Sequence, residues 1–421
     1  MSSPTPYPQG LGRKQLAAPV ALVFALVLAA PAWAQTFTVI HNFAGGQDGS
    51  QPVSGLAIDK AGNFYGTASA GGAGFGTVFK LVRKNSAWVL NPLYSFAGGN
   101  DGAGPVATPV LGPNGTLYGS TAAGGGGGCS KIYEYSGCGT IFNLKPGVSA
   151  CKTALCPWSE TVIYHFAGGG DGAYPIGELH FDQSGNIFGT TADYLQFVSA
   201  GTVFELTPSG GGWTKSLVHR FSTSGSDGQY PASGVISDQA SNLYGTTYNG
   251  GAHGDGTAYQ LTPSGSGWSE SILYSFSGSD GTDVAAGLVF DGAGNLYGGT
   301  TAGGTGGGTI FGLTPSGGGH WTLTVLNSFT GNGGPASTLI MDSAGNLYGT
   351  TTADGAYGAG NVFKLSRAGE GWVYTDVYDF TGGSDGASPI GSLVLDANGN
   401  LYGTAEAGGA NGEGVIFELT P

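Results

Sequence analysis

The sequence predicts an all-β protein, a seven-bladed β-propeller with four antiparallel strands in each blade. Three observations carry that prediction. Three phrases each recur seven times in a fixed order. They recur at a period near 53 residues, which belongs to propellers or solenoids. The first and last copies are also out of phase in a way that lets one complete the other.

The first phrase is a strand that ends in Phe, at Phe43, Phe96, Phe166, Phe221, Phe276, Phe329 and Phe380. The second is "GNLYGT", with its aromatic at Tyr65, Tyr118, Phe188, Tyr244, Tyr297, Tyr348 and Tyr402. The third is "GTVFKL", with its aromatic at Phe79, Phe142, Phe204, Tyr259, Phe311, Phe363 and Phe417. The Phe-ending anchors stand 53, 70, 55, 55, 53 and 51 residues apart. Each unit holds four short β-rich runs separated by Gly, Asp, Asn and Pro turns, such as "WVYTDVYDF", "GSLVLD", "NLYGTA" and "GVIFEL" in the last full unit. No long run beyond residue 34 has helical periodicity. A β-solenoid is the rival architecture, but its rungs are shorter, about 20 to 30 residues. Four strands per unit, seven times, fits a propeller.

The phase predicts how the ring closes. Trp88, Trp158, Trp213, Trp268, Trp321 and Trp372 each lie eight residues before a terminal Phe, and in the first unit that slot is Gln35. "QTFTVIHNF" is therefore an outermost strand without the rest of its blade, and "GVIFELTP" ends a blade without an outermost strand. Joining them hides both sheet edges.

Residues 1–34 read as a signal peptide. Arg13 and Lys14 form a basic n-region, "LAAPVALVFALVLAA" from Leu16 is the apolar run, and Ala32-Trp33-Ala34 is the cleavage site. An uncleaved transmembrane anchor is the alternative, since the run is nearly long enough to span. Cleavage leaves residues 35–421 as a single seven-repeat domain whose first residue is Gln35. A four-cysteine insertion at about 122–160 accounts for the one long spacing.

Composition narrows the partners. The 84 glycines and 20 prolines alone would suggest low complexity, but 21 Phe, 20 Tyr and 7 Trp argue for packed structure. Only 10% of residues are charged, which suits an extracellular β protein. Without Arg13 and Lys14 there remain 11 basic and 27 acidic residues, a net charge of −16. That excess repels phosphate backbones and anionic lipid surfaces, so no nucleic acid and no membrane is expected as a partner after cleavage. A monomer that is secreted or periplasmic is expected, with an extracellular glycan or a protein as its ligand.

The repeats, of the form "GNLYGTTxxGGxxxxGTVFKLTP" followed by "LYSFxGGxDGxxP", resemble the GloVer-type tandem-repeat proteins of bacteria over essentially all of 35–421. The resemblance implies a secreted protein of undetermined biochemical role, often with a C-terminal sorting anchor. This sequence departs there, ending at Pro421 without a hydrophobic tail or basic terminus, so a released or periplasmic protein is expected. A looser similarity to NHL-type propellers implies that "GSLVLD" is the innermost strand and the Trp…Phe strand the outermost. The interblade "GGxDGxxP" links and the Gly-rich loops between "LYGTT" and "GTVF" then share one face, where binding is expected.

All four cysteines sit in the long unit. Cys129 and Cys138 flank "CSKIYEYSGC", and Cys151 and Cys156 flank "CKTALC". A zinc site needs the pairs to converge, yet they fall in loops expected on opposite faces. Two local disulfides, Cys129–Cys138 and Cys151–Cys156, are expected instead.

Six interblade aspartates, Asp48, Asp101, Asp171, Asp227, Asp280 and Asp385, recur in the links. The sixth unit lacks one, reading "TGNGGPAS" from Thr330. As turn residues they accept nearby backbone N–H groups. As a metal-binding ring they would hold Ca²⁺ with backbone carbonyls, though no D-x-D-x-D loop is present. Asp59, Asp182, Asp238, Asp291, Asp342 and Asp396 precede the inner hairpin and read as turn chemistry. Calcium aside, no cofactor is expected.

A patch of aromatics in predicted loops of units two to four is the candidate ligand site: Tyr133, Tyr135, Tyr174, Tyr194, Phe197, Tyr230 and Tyr248. Exposed rings beside Asn, Asp and Gly stack on sugars; the alternative is packing between loops. Enzyme signals are thin. The six histidines show no metal or triad spacing, and no nucleophile elbow, zincin motif or phosphate loop is present. Glu178 and His180 are the one local acid–base pair beside the aromatics. The expected function is non-catalytic binding of extracellular carbohydrate or another surface ligand, with no catalytic residue assigned. The alternatives are a polysaccharide lyase or glycoside hydrolase using carboxylates of the same face, and an envelope protein-interaction scaffold.

Overall fold

The computed structural model describes residues 1–3, 35–132, 134–147, 158–193, 200–331, 333–369 and 371–421. Within residues 35–421, which form one compact unit, the described residues build seven four-stranded antiparallel sheets and one two-residue pairing between an interblade link, Gly228–Gln229, and a blade 4 loop, Asn249–Gly250. These are the seven blades: residues 57–95, 110–165, 180–220, 236–275, 289–328, 340–379, and 394–420 together with 36–42. The strand order is as expected. In blade 1 it runs Ala57–Ile58, Phe64–Ala68, Thr77–Lys84 and Ala87–Ser95, from the two-residue inner strand outward. Among the described residues no helix is long and apolar enough to cross a membrane.

Closure follows the phase of the repeats. Thr36–Asn42 is the outermost strand of blade 7, paired with Val415–Thr420 from Thr36↔Thr420 to Asn42↔Val415.

The aromatics of the repeat are the glue between blades. Each terminal Phe packs against the third-phrase aromatic of the next blade: Phe43–Phe79 at 5.4 Å, Phe96–Phe142 at 5.2 Å, Phe166–Phe204 at 5.2 Å and Phe221–Tyr259 at 5.1 Å between ring centroids. Phe276–Phe311, Phe329–Phe363 and Phe380–Phe417 complete the circle. Each such pair contributes about 0.5–1.5 kcal/mol beyond the area it buries. The repeat tryptophans reach the other way, onto the second-phrase aromatic of the preceding blade, as Trp213 does on Tyr118 at 5.9 Å and Trp372 on Tyr297 at 5.8 Å.

The invariance of Gly in "LYG" has a steric cause. A Cβ at Gly66 would lie 2.5 Å from Cζ of Phe79, and the same collision recurs at Gly119, Gly189 and Gly403. The tip of the third-phrase ring fills the space beside that glycine, so no side chain fits there.

One irregularity repeats in all seven blades. The register between the two outer strands slips next to the third-phrase aromatic, for example between Val78 and Phe79 and between Ala258 and Tyr259. A bulge reverses which way the following residues point. Residues six and eight before the terminal Phe therefore face the preceding blade, while the residue two before it faces the next.

Candidate functional site

The segments that lead into the seven inner strands line an axial channel of about 140 Å³. Two rings of side chains line it. The first is Val53, Val106, Ile176, Ala232, Ala285, Ala336 and Ile390. It is bulky in blades 7, 1, 2 and 3 and reduced to alanine in blades 4, 5 and 6. The second ring follows two residues later and is made of small residues except for Glu178. At Gly55 a Cβ would stand 2.6 Å from the backbone oxygen of Ser392, and one at Gly234 would collide with that of Glu178, so the blades meet here backbone to backbone.

Glu178 reaches across this narrow ring. The Thr108 hydroxyl donates to its Oε1 at 2.7 Å, and Ser392 from blade 7 bonds it from the other side. It borders the channel and so keeps some accessible surface, but protein surrounds it on all sides. Burial pushes its carboxyl up, only partly countered by the hydrogen bonds from Thr108 and Ser392. His180, expected to pair with Glu178, instead meets Ser237 of blade 4 at 2.7 Å through Nε2. The sequence-adjacent acid and base are thus held by different partners and form no catalytic pair.

Where the first ring shrinks to alanine, the channel widens into a depression of about 470 Å³ lined by Ile176, Ala192, Tyr230, Ala232, Tyr248, Asn249 and Ala285. Its alanine floor is continuous with the channel, and two tyrosines of the expected patch form its walls. The Tyr248 N–H donates to the Tyr230 carbonyl at 3.0 Å, and the Tyr230 N–H to the Ala200 carbonyl at 2.6 Å. Tyr230 takes φ 61, a conformation shared at the same link position by Gln51, Tyr174, Asp283 and Ser388. The left-handed turn therefore belongs to the link, and the side chain there varies from blade to blade. Burial, with Asp283 next in effect, holds the Tyr248 phenol above its ordinary range, so it remains a protonated donor.

The other predicted aromatics separate. Tyr174 is fully buried and not part of a surface patch; its hydroxyl donates to the Ser130 carbonyl at 3.0 Å. Tyr135 packs on Phe75 at 5.5 Å and donates to the Gly74 carbonyl at 3.0 Å, tying the insertion to blade 1. Tyr133, Tyr194 and Phe197 lie outside the described residues. Tyr357, in the blade 6 loop, is 66% exposed and was not singled out, because its "GAYG" setting matches no repeated phrase.

The interblade aspartates cap the bend that leaves each outer strand. Asp48, Asp101, Asp171 and Asp385 each accept the backbone N–H four residues back, at 3.0, 2.8, 2.8 and 2.8 Å. Asp227 accepts from Ser222 at 2.7 Å and Asp280 from Ser277 at 2.9 Å. Most also take a side chain from their own outer strand, such as the Tyr94 hydroxyl on Asp101 at 3.0 Å and the Tyr378 hydroxyl on Asp385 at 3.0 Å. Among the described residues only Asp227 of the six joins a group of three side chains close enough to share a metal ion. The inner-hairpin aspartates are likewise bound: Asp59 Oδ1 accepts from Ala61 and Asn63, while Oδ2 accepts from the Asn63 amide and the Tyr65 hydroxyl. Burial alone would raise the Asp59 carboxyl, but these bonds outweigh it and hold the group below its ordinary value.

Cys129 and Cys138 form a disulfide with Cα atoms 5.1 Å apart. Cys151 and Cys156 lie outside the described residues.

The model of the Gloeobacter/Verrucomicrobia repeat matches residues 21–239, 135–318 and 235–421. No curated protein matches the chain. Among solved structures, the extracellular domain of BT4673 from B. thetaiotaomicron is similar, with a TM-score of 0.53 at 12% identity over 90% of this chain and 39% of that one. PorZ of Porphyromonas gingivalis, a bacterial surface component of the type-IX secretion system, is similar with a TM-score of 0.50 at 15% identity over 86% of this chain and 46% of that one. The chain spans less than half the length of either, and at these identities the likeness is one of fold.

Proposed function

The chain belongs to the Gloeobacter/Verrucomicrobia repeat family, and on that premise we propose that it is an exported, non-catalytic propeller that binds carbohydrate at the mouth of its axial channel. The depression of about 470 Å³ between Tyr230 and Tyr248 carries this reading. Its size lies within the range of small-ligand sites, which are apolar pockets with a few oriented polar groups. The tyrosine rings stack on the C–H face of a sugar above the alanine floor, and Asn249 and the Tyr248 hydroxyl address its hydroxyl groups. A non-catalytic role is favoured because the carboxyl that lines the channel, Glu178, is engaged by Thr108 and Ser392 and is pushed above its ordinary value by burial. Export is supported by the leader sequence and by the Cys129–Cys138 disulfide, which an oxidising compartment sustains.

The test is a glycan-array screen of the purified protein, followed by calorimetric titration of the best hit into wild type, Tyr230→Ala and Tyr248→Ala. Loss of at least about tenfold in affinity, roughly 1.4 kcal/mol, in either variant is expected. A blank array, or affinity unchanged in both variants, overturns the site. Chain shortening of a bound polysaccharide, seen by mass spectrometry, replaces the binding reading with an enzymatic one. N-terminal sequencing of exported protein is expected to begin at Gln35.

A further inference from the structure

The repeated bulge creates the same slot at every blade junction. The residue two before a terminal Phe, with the link aspartate behind it, faces the residue six before the next terminal Phe. Read in chain order from blade 1, that incoming residue is Leu90, Glu160, Lys215, Glu270, Leu323, Tyr374 and, at the seam, Phe37. At the seam the slot is apolar, with Phe37 stacked on Tyr378 at 3.9 Å. Between blades 2 and 3 it holds a cation supplied by the chain: Lys215 Nζ lies 2.8 Å from Asp171 Oδ1 and 5.4 Å from the centre of the Tyr164 ring.

The next slot keeps the aspartate, Asp227, but exchanges the other two positions. Glu270 stands where Lys215 did, and His219 stands where Tyr164 did. The internal cation is gone and two metal-ligating groups have replaced it. His219 Nε2 lies 3.8 Å from Asp227 Oδ1 and 3.6 Å from Glu270 Oε1. The three donor atoms all fall within 4.8 Å of one another. Each is shut off from solvent and has no hydrogen-bond partner, although unpaired buried polar atoms are costly. Two of the groups are also fixed from behind. Asp227 Oδ2 accepts the Ser222 N–H at 2.7 Å, which turns Oδ1 toward the cluster, and the His219 ring stands edge-on to Phe221 at 4.7 Å.

We propose that His219, Asp227 and Glu270 form a site for one divalent transition-metal ion, with zinc as the best match, at the junction of blades 3 and 4. With metal–ligand bonds of about 2.0–2.2 Å, a tetrahedral ion separates its donors by roughly 3.4 Å, close to the observed spacings. One imidazole nitrogen and two carboxylates are a zinc-type donor set, whereas calcium takes six to eight oxygens. The metal replaces the charge that Lys215 supplies one junction earlier.

The test uses tag-free protein stripped with EDTA and titrated separately with Zn²⁺, Co²⁺ and Ca²⁺, in wild type, His219→Gln and Glu270→Gln. One Zn²⁺ per chain is expected, with at least a tenfold loss of affinity in each variant that circular dichroism shows to be folded. Co²⁺ in wild type is expected to give the intense visible absorption of a four-coordinate site, a readout that needs no variant. No stoichiometric Zn²⁺ or Co²⁺ binding, zinc binding unchanged in both variants, or a site that takes Ca²⁺ in preference to Zn²⁺ overturns the proposal.

Discussion

Replacing Glu178 with Gln isolates the effect of placing a carboxyl in the channel. The amide has nearly the same shape, and its oxygen still accepts from Thr108. What changes is the proton. Burial raises the Glu178 carboxyl in the folded protein, while in the unfolded chain the group ionises at its ordinary value of 4.5. Between those two values the unfolded state binds fewer protons than the folded one. The stability that the neutral carboxyl contributes is thus complete below about pH 4.5 and is lost as pH rises toward the folded value. The slope from this one group reaches at most about 1.4 kcal/mol per pH unit. The amide in the Glu178→Gln variant carries no such slope, and the other titrating groups are common to both proteins. The measurement is guanidinium unfolding of both at several pH values from about 4 to 8. The stability of Glu178→Gln relative to wild type is expected to rise with pH. Glu178→Ala, which removes both hydrogen bonds and leaves a gap, is expected to cost about 2–4 kcal/mol near pH 4.5. Parallel pH curves for wild type and Glu178→Gln would refute the reasoning, because they would mean that the carboxyl ionises as freely in the channel as in water.

Two further changes probe the repeat. Gly66→Ala drives a methyl group into the Phe79 ring and is expected to cost about 1–3 kcal/mol, read as a lower midpoint in denaturant; an unchanged midpoint would show that the ring moves aside freely. Joint replacement of Cys129 and Cys138 by Ser opens a nine-residue separation and is expected to cost no more than about 3 kcal/mol. Faster protease cleavage within residues 124–138 is the readout, and equal rates would mean that Tyr135 and Tyr174 hold the loop without the bond.

The repeated parts of this protein were legible because each phrase encodes one packing relation and states it seven times. The aromatics of "GNLYGT" and "GTVFKL", which recur within strands in every copy, are read as blade core from pattern alone. The complementary phase of Gln35–Phe43 and the last strand gave the seam. The channel and the slots were not legible, since their chemistry depends on which residue of one blade faces which of the next. Glu178 stood beside His180 in sequence, yet the strand aims it at Thr108 and Ser392. Tyr174 matched Tyr230 in position, but the four-cysteine insertion covers one and leaves the other at the rim. The column that runs Leu90, Glu160, Lys215, Glu270 was available by stacking the repeats; its meaning required the bulge, which no residue type announces.

The seam also sets an order of events. Every other blade is complete within a stretch of about 40 to 60 residues, whereas Thr36 pairs with Thr420 across a separation of 384. Bringing such distant segments together costs on the order of 5 kcal/mol in chain entropy, about 3 kcal/mol more than closing one of a blade's own short hairpins. The first strand made is therefore the last to find its neighbour. Until residue 415 is available, Thr36–Asn42 has no neighbouring strand, and pairing with Val415–Thr420 satisfies one of its two edges.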